Sequence, residues 1–208
     1  YKLKKASDIR YILEKAHYMA TNGRPGPVLI DIPMDLQRTK INPKKLRAFK
    51  PPLVNNVLNF KKIIRNIEIN LQKSKKPVLI LGGGIKYSKA ELELKNFLKS
   101  YDIPIVTTWS GVDLIDHENK NYIGNIGVYG SRAANFAVQN SDLILSIGSR
   151  LDTRITGGTP KSFARNAKKI VVDIDKYELN KKRGLKIDLK INSDVKFFFE
   201  EYRKYRKI

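Results

Sequence analysis

The stretch Pro77-Val-Leu-Ile-Leu-Gly-Gly-Gly84 decides the fold class of this chain. Its apolar run, Val78 to Leu81, is typical of a strand that is buried on both faces, as in a parallel sheet covered by helices. Three glycines follow at once, and Ser88-Lys-Ala-Glu91 has the spacing of a capping box, which predicts that a helix begins there. Strand, glycine turn and helix form the unit from which open α/β nucleotide-binding sheets are built.

The same alternation of strands and helices continues to the end of the chain. Apolar runs and helical periodicity predict strands over 78–81, 103–107, 142–147, 170–174 and, at an edge, 185–191, with helices beginning near Asn59, Ser88, Ser131 and Asp194. A β-α-β-α order predicts an α/β fold, an open parallel Rossmann-like sheet with helices on both faces. The segment from Trp109 to Asn125 is too long for a plain connector, and its sequence predicts no element.

The first 58 residues are predicted to be a separate piece. Ile9, Ile12, Leu13 and Ala16 follow each other at helical spacing, and the apolar run 28–32 predicts a buried strand. One helix and one strand do not make a domain, so we expect residues 1–38 to be an incomplete α/β piece that packs on a partner outside this chain. Prolines in residues 39–58 predict a linker, which leaves 59–208 as the main domain.

Composition excludes several classes of function. The 208 residues contain no cysteine, which rules out disulfides, thiolate metal sites and a cysteine nucleophile. The net charge of +21 suggests nucleic acid, but the lysines are scattered and no basic stripe is interleaved with aromatics, so we expect a solvated surface and no nucleic-acid partner. There is no signal peptide and no apolar run near the ~18 residues of a membrane span, so we expect a cytoplasmic protein with no membrane partner. The chain begins with Tyr1 rather than Met, and we expect it to be an excerpt.

Residues that suit a nucleotide follow the predicted strands. In such sheets ligands bind outside the carboxyl ends of the strands. Glycines and a helix start suit a pyrophosphate, an arginine supplies charge, and an acidic residue accepts from a ribose hydroxyl. The candidate cofactor-binding residues are Gly82, Gly83 and Gly84 after the first strand, Thr108 after the second, Gly130 and Ser131 at a helix start, Arg150 after the third strand, and Asp173 and Asp175 at the end of the fourth.

Other readings of these residues stay open. The three glycines are also explained by a tight turn, and Arg150 by an ordinary ion pair with Asp152 or Asp175. Trp109 is predicted to be a packing residue rather than a stacking platform. The chain has two histidines, His17 and His117, and their separation in the sequence favours neither a metal site nor a Ser/His/Asp triad.

Long stretches of the chain resemble the thiamine-diphosphate enzymes, and most closely the acetolactate synthase-like group. The first stretch is similar to the end of that family's pyrimidine-binding domain, and the others are similar to its central domain, in order. The stretches are 23–37 (GRPGPVLIDIPMDLQ), 77–84, 103–111 (IPIVTTWSG), 127–135 (GVYGSRAAN), 141–157 (SDLILSIGSRLDTRITG) and 171–175 (VVDID). Tyr129 is a departure, because acetolactate synthases usually carry histidine there.

The resemblance implies a function that reaches beyond this chain. Members of the family are 2-keto acid decarboxylases or carboligases that use thiamine diphosphate and Mg²⁺. The activating glutamate belongs to the pyrimidine-binding domain and the Gly-Asp-Gly motif to the pyrophosphate-binding domain; both lie outside this chain, so we assign it no catalytic residue. The central domain has a DHS-like NAD/FAD-binding fold, which holds FAD in acetolactate synthases, holds ADP in oxalyl-CoA decarboxylase relatives, and is empty in many others. Partners would be the two other domains, in a homodimer or homotetramer. The alternative is a structural, dimer-bracing module with a vestigial nucleotide site.

Overall fold

The structure, a computed structural model, describes residues 1–52 and 58–206. They belong to two compact units, Tyr1–Asn56 and Val57–Ile208. The first unit contains helices α1 (Ile9–Thr21) and α2 (Met34–Gln37). The second contains, in order, α3 (Phe60–Lys73), β1 (Pro77–Leu81), α4 (Gly84–Tyr87), α5 (Glu91–Leu98), β2 (Ile105–Thr107), β3 (Tyr122–Asn125), α6 (Arg132–Gln139), β4 (Leu143–Ile147), α7 (Thr153–Thr156), β5 (Lys168–Asp173), α8 (Lys176–Asn180), β6 (Leu189–Asn192) and α9 (Val195–Tyr205).

The strands of the second unit form one parallel sheet in the order β3-β2-β1-β4-β5-β6. The chain moves outward from β1 to β3 on one side, returns to the centre at β4 and then moves outward to β6. The reversal between β1 and β4 is the topological switch point of an open α/β sheet, and ligands bind at such points. The predicted parallel α/β sheet is confirmed.

Both faces of the sheet are covered, as the apolar run in β1 predicts. Leu79 and Leu81 belong to a core with the helices α3, α5 and α9, whereas Val78 and Ile80 belong to a second core that includes α6. All four side chains are at most 3% exposed. A strand with two buried faces reads as a continuous apolar run, because neither row of side chains meets water.

The turns after the two central strands are in direct contact. A Cβ atom on Gly82 would lie 2.3 Å from the carbonyl oxygen of Gly148, and one on Gly84 would lie 2.8 Å from the Cα of Gly148. The Gly84 N–H donates to that same oxygen at 2.9 Å. Gly148 itself has a φ of 65°, in the left-handed region. The turns approach this closely because they have no side chains.

The predicted capping box at Ser88 is wrong. The glycine turn continues directly into α4, and the Ser88 hydroxyl donates back to the carbonyl of Gly84 at 2.9 Å. Lys89 follows with a φ of 52°, and α5 begins at Glu91 with Ala90 at its N-cap. The serine therefore closes one short helix instead of opening the next, since its side chain bonds the carbonyl four residues before it.

The sequence missed β3 and placed several strand boundaries differently from the structure. β3 has no apolar run: Tyr122, Ile123, Gly124 and Asn125 are all half-buried, at the edge of the sheet. β2 begins at residue 105 rather than 103, and β6 spans 189–192 rather than 185–191. Edge strands bury less apolar surface than central ones, so their sequences carry a weaker pattern.

The buried strand predicted over 28–32 is also wrong. These residues form a single bridge, between Asp31 and Lys2, and Leu29 is 77% exposed. Within the described residues no second strand lies beside them to complete a sheet. Helix α1 likewise buries Ile12 and leaves Leu13 half exposed. The assignments of 1–38 and 39–58 to a domain tail and a linker stay predictions, and residues 53–57 of the latter lie outside the described residues.

We expect amide hydrogen exchange to be fast in α1 and slow in β1. Few apolar side chains protect α1 within its unit, whereas β1 is hydrogen-bonded on both sides and buried on both faces. Exchange followed by mass spectrometry of peptic peptides measures both segments in one experiment. Equal protection of the two segments would contradict this account.

We expect Gly82→Ala to lower the free energy of unfolding by about 1–3 kcal/mol, as overpacking does. The added methyl group would overlap the Gly148 backbone, which cannot rotate away. Urea denaturation measures the change. Gly158→Ala is the control, because no atom lies within 4 Å of its added Cβ, and we expect a change within about 0.5 kcal/mol. Equal effects of the two substitutions would refute the contact.

Candidate functional site

The predicted site residues lie at one edge of the sheet. All six strands run parallel, so the segments that follow β1, β2, β4 and β5 emerge at their shared carboxyl edge. The start of α6 follows β3 at this edge as well. The topology therefore brings together the segments that the sequence singles out, although the side chains have different surroundings.

The three glycines after β1 are explained by contacts within the chain. Gly82 and Gly84 lie against Gly148, as described above. A Cβ on Gly83 would lie 2.6 Å from the Cβ of Ser110 in the 3-10 turn that follows β2. Each glycine thus makes room for a neighbouring segment of the protein. This geometry does not require a ligand at the turn.

Three of the five N–H groups from Gly130 to Ala134, at the start of α6, are hydrogen-bonded within the chain. The Gly130 N–H donates to the carbonyl of Gly127 at 2.9 Å, and the Ser131 N–H donates to that of Asn125 at 2.8 Å. The Ser131 hydroxyl caps the helix by accepting from the Ala134 N–H at 3.1 Å. The N–H groups of Arg132 and Ala133 are therefore the ones that α6 offers to an anion.

Thr108 and Trp109 connect β2 to this edge. The Thr108 side chain is buried, and its N–H donates to the carbonyl of Leu81 at 2.9 Å, which ties the turn to the end of β1. Trp109 stacks on Tyr129, with ring centroids 5.1 Å apart and an angle of 30° between the planes. The two residues remain 56% and 71% exposed. Trp109 therefore forms a solvent-exposed aromatic pair, where the sequence predicted a packing residue.

Arg150 is bound by its neighbour Asp152. One guanidinium nitrogen lies 2.6 Å from Asp152 Oδ2, and this hydrogen bond raises the pKa of Arg150. Burial raises the pKa of Asp152, but the hydrogen bond and charge of Arg150, together with backbone hydrogen bonds from Arg154 and Ile155, outweigh it and lower that pKa from 3.8. Leu151, between them, is buried with a φ of 50°, a strained conformation of the kind that clusters at functional sites.

Asp173 and Asp175 shape the turn between β5 and α8. The Asp173 carboxylate accepts from the Asp175 N–H at 2.8 Å. The Asp175 carboxylate caps α8 by accepting from the N–H groups of Tyr177 and Glu178. Both carboxylates thus have partners within the chain.

The sequence missed the role of Arg183. Its guanidinium pairs with Glu178 at 3.1 Å and donates to the main-chain carbonyl of Arg150, which links α8 to the turn after β4. The Arg183 side chain is only 14% exposed. Arg183 belongs to the basic run 181–183, a pattern that is typical of a solvated surface. The sequence therefore carries no signal that distinguishes Arg183 from the two lysines before it.

Neither a metal cluster nor a membrane span is found in the part of the chain that the structure describes. No group of three or more His, Cys, Asp or Glu side chains could hold a metal ion there. No helix among those residues has the length and the apolar surface to cross a bilayer.

Residues 64–202, more than half of the chain, match the family model described as "Thiamine pyrophosphate enzyme, central domain". The chain belongs to the thiamine pyrophosphate enzyme family. The resemblance seen in the sequence is thereby confirmed. The six-stranded parallel sheet is the structure of this central domain, and the matched residues include most of α3 and every strand.

Curated relatives of this thiamine pyrophosphate enzyme domain are large subunits of acetolactate synthases. One from Lactococcus lactis subsp. lactis (strain IL1403) is 37% identical over 199 residues, which cover 94% of this chain and 34% of the relative. A probable acetolactate synthase large subunit from Methanococcus aeolicus is 34% identical over 209 residues, 97% of this chain and 34% of the relative. The acetolactate synthase isozyme 2 large subunit of Escherichia coli (strain K12) is 36% identical over 178 residues, which cover 86% of this chain and 32% of the relative. The chain therefore spans about a third of the length of these relatives.

We expect Asp152→Asn to lower the free energy of unfolding by about 1 kcal/mol at neutral pH, since it removes an ion pair and weakens the cap of α7. The pKa of Asp152 is depressed in the folded state, so its stabilisation is present above the ordinary value of 3.8 and is lost as the pH falls through the lower, folded value. The difference in the free energy of unfolding between the variant and the wild type, measured by urea denaturation, should therefore become smaller in acid. Glu118→Gln, on an exposed loop, is the control. A difference in the free energy of unfolding between Asp152→Asn and the wild type that stays constant with pH would contradict the stabilising role of Asp152.

Proposed function

We propose that this chain forms the central domain of a thiamine-diphosphate-dependent 2-keto acid decarboxylase or carboligase of the acetolactate synthase type. The observation that carries the proposal is the family match over residues 64–202, together with relatives that are acetolactate synthase large subunits. Thiamine diphosphate supplies the chemistry on the 2-keto acid in such an enzyme. From the resemblance to that family, Mg²⁺ and thiamine diphosphate would be held by the pyrimidine- and pyrophosphate-binding domains, and we assign this chain no catalytic step.

Within that enzyme, the chain would hold FAD or ADP at its carboxyl edge. The N–H groups of Arg132 and Ala133 and the positive end of the α6 dipole suit a pyrophosphate. Arg150 would supply a cation at the end of β4, and Asp173 or Asp175 would accept from the ribose. Gly130, Ser131 and Thr108 would act indirectly, since their recorded bonds fix the loops that surround the ligand.

A second candidate function is a bracing module with a vestigial nucleotide site. Several contacts favour it: the glycine turn after β1 is filled by Gly148 and Ser110, the N–H groups of Gly130 and Ser131 are used within the chain, and Arg150 is already paired with Asp152. In this case the exposed pair Trp109 and Tyr129 would lie in an interface of a homodimer or homotetramer, since exposed apolar surface marks such contacts.

We expect FAD and ADP to change the fluorescence of Trp109 if the nucleotide function holds. Trp109 is the single tryptophan of the chain, and it lies on the turn that touches Gly83. Arg150→Gln should then weaken binding by about 1–3 kcal/mol, the range for a lost hydrogen bond to a charged group. Arg165→Gln is the matched control, because Arg165 is exposed on the loop that precedes the amino end of β5.

Two results would decide between the candidates. Saturable quenching by either nucleotide that Arg150→Gln weakens and Arg165→Gln does not would support the nucleotide site. Unchanged fluorescence together with no heat of binding in calorimetry, for this chain and for the complete enzyme, would refute it and leave the bracing function.

A further inference from the structure

Helix α3 and the residues that follow it present a basic surface to solvent. The buried side chains of α3, among them Ile64 and Ile67, pack into the core of the sheet, and its opposite side is exposed. Residues 58–76 contain six cations and one acid. The six cations, which we call the α3 basic face, are all exposed: Lys61, Lys62, Arg65, Lys73, Lys75 and Lys76. The surface is therefore positive at both ends of the helix.

The single acid of α3 does not neutralise this face. Glu68 reaches toward α9, and one of its carboxylate oxygens accepts hydrogen bonds from the hydroxyls of Tyr101 and Tyr202. The same oxygen lies 3.6 Å from a guanidinium nitrogen of Arg206, which compensates its charge. Within the residues that the structure describes, none of the six cations of the α3 basic face forms an ion pair.

The fold adds a further lysine to the end of this face. Lys168, at the start of β5, donates to Asn70 Oδ1 on α3 at 2.8 Å, across 98 positions of the sequence. Asp142 is an acid at this end, and its carboxylate accepts from the main-chain N–H groups of Lys75 and Lys76 at 2.7 and 3.0 Å, which leaves their ammonium groups exposed. Some of the scattered lysines, from which the sequence predicts a solvated surface and no nucleic-acid partner, are thus gathered by the fold.

Some of these charges occupy positions that are unfavourable for the helix itself. Lys61 and Lys62 lie in the first turn of α3, at the positive end of the helix dipole. Lys61 and Arg65 are four residues apart, and like charges at this spacing destabilise a helix. An anion bound beside this turn would relieve both effects.

The surroundings of the cations indicate which kind of anion fits. Between Lys61 and Lys76 the exposed uncharged side chains are Asn66, Ile69 and Gln72. Protein interfaces and membrane-bound helices use aromatic or apolar anchors, whereas this surface has Ile69 alone, 40% exposed. A second copy of this chain, with a net charge of +21, would be repelled. Lysine, arginine and amide side chains are instead typical contacts of nucleic-acid phosphates.

We propose that the α3 basic face binds the phosphate backbone of a nucleic acid without reading its sequence. Lys61 and Lys73 are twelve residues apart, about 18 Å along a helix. A duplex of that length carries about ten phosphate charges, so the face spans several of them. The site does not depend on the proposed nucleotide site, because α3 belongs to the first core and α6 to the second, on opposite faces of the sheet.

The test measures the binding of a short fluorescein-labelled DNA duplex of mixed sequence to the whole chain by fluorescence anisotropy, at about 50 to 200 mM salt. We expect the logarithm of the association constant to fall with the logarithm of the salt concentration with a slope steeper than about −3, since four or more phosphate contacts each contribute about −0.9. A second duplex of different sequence should bind equally. A shallower slope, unequal affinities of the two duplexes, or no binding at the lowest salt concentration would overturn the proposal.

Two double variants with the same net charge locate the site. Lys61→Gln with Arg65→Gln removes two cations of the face and should make the slope shallower by about 2. Lys95→Gln with Lys99→Gln is the matched control, because these exposed lysines have the same spacing on and directly after α5, and we expect the slope to stay that of the wild type. Equal changes in the two double variants would show that binding follows total charge and would contradict the proposal. The salt dependence of the wild type tests it even if a variant fails to fold.

Two further measurements distinguish other ligands and sites. Millimolar ADP at constant ionic strength should not displace the duplex, and displacement would contradict the proposal by placing the duplex at the carboxyl edge. Vesicles that contain phosphatidylserine should bind more weakly than the duplex, because the apolar side of α3 is buried in the core. Tighter binding to the vesicles than to the duplex would overturn the proposal in favour of a membrane surface.

Discussion

The contact between Gly82, Gly84 and Gly148 is the constraint on which the rest of the structure depends. It joins the turns after β1 and β4, the two strands at which the chain reverses its direction across the sheet. The Gly84 N–H bond to Gly148 holds the turns together, and any side chain at these positions would separate them. Since β1 and β4 lie at the centre of the sheet, a displacement there would disturb the pairing of the flanking strands and the two cores beneath the helices.

The same contact determines what the carboxyl edge offers to a ligand. With the central turns closed on each other, the proposed anion site is limited to the start of α6 and to Arg150, whose guanidinium is also paired with Asp152. The glycines are thus explained by the close contact between the two turns, and their place at a topological switch point does not by itself indicate a phosphate site. Arg183 extends this arrangement, because it ties α8 to the carbonyl of Arg150 and so links the turns after β4 and β5.

The sequence predicts the fold more completely than it predicts the site. Val78 to Leu81 form a strand buried on both faces because their apolar run is continuous, and this property is local to the sequence. The Ser88 capping box and the 28–32 strand are wrong because similar patterns have other outcomes: a serine can bond back to a preceding turn, and an extended run needs a neighbour to become a strand. For Arg150 the sequence offers Asp152 or Asp175 as an alternative partner, and the structure contains the pair with Asp152. The bonds of Gly130 and Ser131 depend on three-dimensional positions, so the sequence could name these residues but not their partners.

The central claim is the proposal that the carboxyl edge of the parallel sheet binds a nucleotide through the first N–H groups of α6 and the guanidinium of Arg150, which is also paired with Asp152. Amide NMR of the ¹⁵N-labelled chain during a titration with ADP tests it most directly, because each residue reports separately. The account predicts saturable shifts at Arg132, Ala133 and Arg150, with small changes at Gly82 and Gly84, whose turn is filled by the protein. A spectrum unchanged by ADP and by FAD, or shifts confined to residues away from the carboxyl edge, would contradict it.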